Sequence, residues 1–178
     1  AYPYCWTRHN DYSTSTNYPY ISSTYYYSGN ASLYFYCSTS TYNIAVLPAI
    51  DPVVNPLSEL MVSFQMRSTS DTTSKIVVGV MTDPNDISTF IPIDTVANSI
   101  TGEFELQEIP LNSYTGNAAN VALKLINSTN TYSVYLDDVT LDYIPSCMRP
   151  SRPTLTAATN SSITLSWTAA APTATITY

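Results

Sequence analysis

The chain has 178 residues, 44% of them hydrophobic, enough for one sizeable domain and part of a second. Only 11% are charged, with 13 acidic against 6 basic residues, giving a formal charge of −7 and no cluster of Lys or Arg. That balance excludes nucleic acid and anionic lipid surfaces as partners and favours cations, and no apolar run approaches the ~18 residues of a membrane span. Ser, Thr, Asn and Tyr fill the polar positions that Lys and Glu usually take inside cells, a usage that points to an extracellular setting.

Alternation with period two dominates, and amphipathic helical periods are missing. Seven of the sixteen tyrosines fall in one early segment, at Tyr18, Tyr20, Tyr25, Tyr26, Tyr27, Tyr34 and Tyr36. The first clear strand, Leu33 to Cys37, sets Leu33, Phe35 and Cys37 on one face and Tyr34 and Tyr36 on the other. Ile44 to Leu47 follows. In the next run Leu60, Val62, Phe64 and Met66 oppose Met61, Ser63, Gln65 and Arg67, as in a half-buried strand. Lys75 to Met81, Glu103 to Gln107, Val121 to Ile126 and Val134 to Leu141 complete the series. Turn-forming stretches separate these runs: "SGN" at 28–30, "DPVVNP" at 51–56, "TDPND" at 82–86 and "YTGN" at 114–117. Roughly eight or more strands spaced this way predict an all-β antiparallel sandwich.

Three prolines between 145 and 153 remove backbone donors and predict a linker. Beyond it "SSITLSWT" alternates again, with Ile163, Leu165 and Trp167 on one face, but the segment is too short to bury a core of its own. The expected division is a domain over 1–145, a Pro-rich linker over 146–152 and the start of a second domain over 153–178.

Within "YLDDVTL" at 135–141, strict alternation puts Asp137 on the face of Tyr135, Val139 and Leu141, the apolar side, and turns Asp138 outward. An inward carboxylate needs backbone N–H donors, a basic partner or a metal ion. Asp83 and Asp86 in "TDPND" read as turn chemistry. The tyrosines carry two readings. Tyr25, Tyr26, Tyr27, Tyr34 and Tyr36 could form a platform that stacks on sugar rings, or they could be cross-strand partners on a half-exposed sheet.

Catalysis is not expected. His9 is the lone histidine, no serine sits in a G-x-S-x-G turn, and neither a phosphate loop nor a zinc spacing is present. Cys5, Cys37 and Cys147 cannot all pair within one chain, so one disulfide or none is expected, and Cys37 reads as a small buried hydrophobe. "NAS" at 30–32, "NST" at 127–129 and "NSS" at 160–162 fit the N-glycosylation pattern, making Asn30 and Asn127 candidate acceptors.

Two resemblances extend these readings. "PYCWTR", "AVLPAID", "LMVSFQM", "VVGVMTDPNDISTFIPIDTV", "YTGN" and "YLDDVTL", in this order, resemble the jelly-roll adhesin modules of Bacteroidetes-type surface proteins. That group is described as cleaved-adhesin or choice-of-anchor J domains and is similar in fold to MAM domains. The resemblance implies a non-catalytic binding or structural module of a larger secreted or surface protein, with a glycan or protein as ligand. It also implies a structural calcium ion, for which Asp137 matches the last-strand ligand and Asp138 is the second candidate. In the same group O-glycosylation favours "DTT" and "DTV" sites, which here mark Thr72 and Thr95. The tail from 153 resembles the opening strands of a fibronectin type III domain. Alternatives carried with this reading are a self-associating filament subunit or spacer, and an accessory module of a carbohydrate-active enzyme or protease.

Overall fold

A computed structural model describes residues 2–11, 18–37, 42–69, 73–126, 132–148 and 151–168. The chain divides into two compact units, Ala1–Asp142 and Tyr143–Tyr178. The first is a jelly-roll β-sandwich of ten strands: β1 Thr7–Asn10, β2 Tyr20–Ser22, β3 Ser32–Cys37, β4 Tyr42–Val46, β5 Leu60–Ser68, β6 Lys75–Met81, β7 Ile91–Ala97, β8 Phe104–Pro110, β9 Asn120–Ile126 and β10 Tyr132–Tyr143. They form two five-stranded sheets, β1-β4-β9-β6-β7 and β2-β3-β10-β5-β8, whose registered pairs are antiparallel.

The core lies between the sheets. Phe35, Phe64, Met66, Ile76, Val78, Leu123, Leu125 and Leu136 are all buried there, and large side chains of this kind contribute about 1.5–3 kcal/mol each. The expected inward faces of β3 and β5 hold residue for residue, and Cys37 packs in this core as a free thiol. Cys5 and Cys147 are free as well.

Sequence alternation missed β1, β2 and β7. "TRHN" and "YIS" are too short and polar to show a period, and β7 is an edge strand with Pro92, exposed at four of its seven residues. A second departure concerns the outer face of the first sheet. The segment 82–90 folds across it, so that Ile87 and Phe90 cover the buried Ile44, Val46, Met81 and Ala122. The turn expected at "TDPND" anchors this cover. Asp83 accepts from the Asn85 N–H, Asp86 accepts from the Ser88 N–H, and His9 Nε2 meets the Pro84 carbonyl at 2.6 Å. Gly79 makes the close approach possible, since a Cβ there would lie 2.5 Å from the Ile91 oxygen and 2.6 Å from the Phe90 ring. The nearly unbroken apolar run "KIVVGVM" is the sequence trace of a strand covered on both faces.

The second unit is a two-stranded antiparallel sheet of β11 Ser151–Ala158 and β12 Ile163–Thr168. β11 begins inside the stretch expected as linker and contains Pro153. The register shift between Ser151 and Thr154 accommodates it, because a proline fits a strand where the ladder is irregular or the edge is open.

Candidate functional site

The outer face of the second sheet is half-exposed and aromatic. Tyr34 on β3 stands directly across from Tyr20 on β2 and Tyr135 on β10, with ring centroids at 5.2 and 4.6 Å. Tyr18 approaches Tyr20 at 5.3 Å and Tyr36 at 5.2 Å, and Tyr25 meets Tyr135 edge-on at 5.2 Å. Six rings thus form one continuous array at separations typical of favourable aromatic pairs. Burial pushes the Tyr34 phenol up to about 12, against the opposing effect of its 3.0 Å hydrogen bond with Ser133 Oγ. Burial raises Tyr135 too, against bonds to the Thr24 and Ser22 hydroxyls. These hydroxyls therefore stay neutral hydrogen-bonding groups through the physiological range.

The same face continues onto β5 and β8, where Ser63, Gln65 and Arg67 stand opposite Glu108, Leu106 and Phe104. Ser63 and Thr140 share a 2.7 Å hydrogen bond between their hydroxyls. The Arg67 guanidinium lies 4.2 Å over the Tyr25 ring and 5.8 Å from that of Phe104, and Tyr27 approaches Phe104 at 5.9 Å. One end of the array is thus a cation flanked by rings, and the other is phenolic.

Tyr25, Tyr26 and Tyr27 belong to the loop between β2 and β3 and are 41%, 47% and 56% exposed, which puts them within a ligand's reach. Two acids hold that loop. Asp137 Oδ2 accepts from the Tyr27 and Ser28 N–H groups at 2.7 and 3.1 Å, and its Oδ1 accepts from the Asp138 N–H at 2.9 Å. The Ser28 hydroxyl donates to Asp138 Oδ1. The charge at Asp137 is thereby solvated by three backbone donors.

This geometry corrects the expected orientation. Val134 and Leu136 are the inward residues before the acids, whereas Val139 and Leu141 pack against the core after them. Asp138, at φ 48°, interrupts the alternation, so Asp137 is half-exposed and Tyr135 belongs to the outer face. Alternation predicts faces only while the pleat is unbroken, and a left-handed residue breaks it.

The acid pair also bears on calcium, which takes 6–8 oxygen ligands. Among the described residues no basic side chain pairs with either acid, and both line a cleft of about 180 Å³ with Pro3, Trp6 and Val139. Among the described residues no third His, Cys, Asp or Glu joins them. Two carboxylates alone supply fewer oxygens than the 6–8 that calcium takes. Among the proposed glycan acceptors, Thr95 is exposed on β7 and Asn30 on the loop before β3, while Thr72 and Asn127 lie outside the described residues. Alternation found Tyr34 and Tyr36 but missed Tyr18, Tyr20, Tyr135, Arg67 and Phe104 as members of the same face, because strand order alone brings them together.

No protein-family model matches this chain, and no curated protein sequence does. Solved structures do. The K1 cleaved adhesin domain of Lys-gingipain from Porphyromonas gingivalis W83 aligns with 80% of this chain and 93% of its own at a TM-score of 0.56 and 16% identity. A family 30 carbohydrate-binding module aligns with 74% of this chain and 86% of its own, at 0.53 and 14%. The glycoside hydrolase domain of Endo-D from Streptococcus pneumoniae R6 matches 93% of this chain at 0.50 and 13%, and there the match spans only 27% of the longer protein. At these identities the likeness is one of fold, that of adhesin and carbohydrate-binding β-sandwiches.

Proposed function

We propose that the first unit is a non-catalytic, extracellular carbohydrate-binding module of an adhesin-like protein, and that its ligand lies across the outer face of the second sheet. The observation that carries this reading is the array of Tyr18, Tyr20, Tyr25, Tyr34, Tyr36 and Tyr135 on paired strands beside Gln65, Glu108 and Arg67. Sugar rings present C–H faces that stack on aromatic rings and hydroxyls that need donors and acceptors, and this surface offers both on rigid elements. On the opposite sheet Ile87 and Phe90 cover part of the outer face. Fold likeness to carbohydrate-binding modules supports the reading. The test is a glycan array followed by titration calorimetry. Tyr20→Ala and Tyr34→Ala are expected to weaken binding of any glycan hit at least tenfold each, the scale of a lost stacking anchor. A folded protein that retains no glycan on the array would reject the reading.

Calcium at the Asp137–Asp138 corner is a second part of the proposal. A site with two carboxylates belongs with extracellular modules that bind at ~10⁻⁴–10⁻³ M. At a few millimolar calcium the gain is about 1 kcal/mol, or roughly 3 °C in midpoint. Thermal melts with calcium and after chelation measure it, and identical midpoints would remove the ion from the reading.

We read β11 and β12 as the start of a fibronectin type III module. Leu155, Ile163, Leu165 and Trp167 are 47–71% exposed on this ribbon, an apolar content suited to a sandwich with further strands. Such a module would space the binding unit within a longer surface protein.

A further inference from the structure

Arg67 is the single basic residue in the five strands of the aromatic sheet. Arg8 and Lys124 are engaged elsewhere. Arg8 donates to the Pro19 carbonyl and lies over Tyr2, while Lys124 sits between the Tyr42 and Phe90 rings on the other sheet. Arg67 is held by rings alone, over Tyr25 at 4.2 Å and near Phe104 at 5.8 Å. Its Nε is buried with no hydrogen-bond partner, and among the described residues no carboxylate or carbonyl accepts from the guanidinium. In a protein with more than twice as many acidic as basic residues, an arginine paired with none of the described acids is conspicuous.

A guanidinium carries five donors in a planar fork that matches a carboxylate. Stacking fixes its plane and excludes water from one face, which lowers the ordering cost on binding and strengthens the ion pair. Structural cation–π packing would use the positive charge and leave the fork idle. We propose that Arg67 receives the carboxylate of an acidic sugar, so that the module selects hexuronate-containing glycans over neutral ones. The phenolic end of the array would then stack on the neighbouring sugar rings. This inference rests on the glycan-binding reading and adds the substrate class to it.

The experiment titrates the intact protein with two tetrasaccharides of the same linkage, galacturonate and galactose, and repeats both titrations with Arg67→Met and Arg67→Lys. Wild type is expected to bind the galacturonate oligomer at least tenfold tighter, and the margin to shrink as NaCl rises from about 50 to 500 mM. Arg67→Met is expected to erase the preference, lowering affinity for the galacturonate oligomer at least tenfold more than affinity for the galactose oligomer, and Arg67→Lys to keep only part of it, since an ammonium lacks the fork. The salt series uses wild type alone, so a variant that folds poorly leaves that arm intact. Equal binding of the two oligomers by wild type overturns the role of Arg67 and leaves the glycan-binding reading standing. Absence of binding to both overturns the role of Arg67, and the glycan array decides the glycan-binding reading separately.

Discussion

Asp137→Ala is expected to lower the stability of the sandwich by about 2 kcal/mol and to reduce glycan binding by at least an order of magnitude. Hydrogen bonds to a charged acceptor contribute roughly 1.5–3 kcal/mol each when sheltered, and the half-exposed setting of Asp137 discounts that. Two of its three bonds go to the Tyr27 and Ser28 N–H groups, and these tie the loop to β10. Without them Tyr25 loses its fixed place between Tyr135 and Arg67, where its ring lies 5.2 and 4.2 Å away. Asp137→Asn retains one acceptor oxygen and should fall between wild type and Ala. Urea denaturation checks the first effect through a lower midpoint at unchanged slope, and titration checks the second. An Asp137→Ala protein with wild-type stability and affinity would show that the loop holds its position without the acid.

Gly79→Ala is expected to be the more damaging change to the fold, at about 3 kcal/mol. The added methyl would stand 2.5 Å from the Ile91 oxygen, a backbone atom of the adjacent strand, and 2.6 Å from the Phe90 ring. Overpacking of a filled site typically costs 1–3 kcal/mol, and a backbone obstacle places this case at the upper end. The ring can yield and the backbone cannot, so combining Gly79→Ala with Phe90→Ala should recover only part of the loss. A double-mutant cycle on denaturation midpoints measures that coupling. A Gly79→Ala protein as stable as wild type would mean that residues 82–90 do not press on β6.

Both predictions concern places where local sequence patterns and the structure part company. Alternation identifies the buried side of β3 and β5 because a two-residue period survives wherever one face is dry and the other wet. The same logic fails at Asp137, since one left-handed residue at Asp138 shifts the inward set from Val134 and Leu136 to Val139 and Leu141. It is also silent on β6, where the covering segment leaves no wet face to generate a period. For the candidate site, the abundance of tyrosine was visible from composition, and Tyr34 and Tyr36 were visible from their parity. The partnership of Arg67 with Tyr25 and Phe104 was not, because it joins β5 to β8 and to the loop before β3, and only sheet order and a folded-back loop make them neighbours.

The covering of one sheet has a practical corollary for handling the protein. Its only lysines, Lys75 and Lys124, lie on β6 and β9 of the covered sheet, on the side away from the core. Lysine-directed attachment to a sensor chip, bead or fluorophore would therefore seize the sandwich from behind, leaving every tyrosine of the opposite surface facing the analyte.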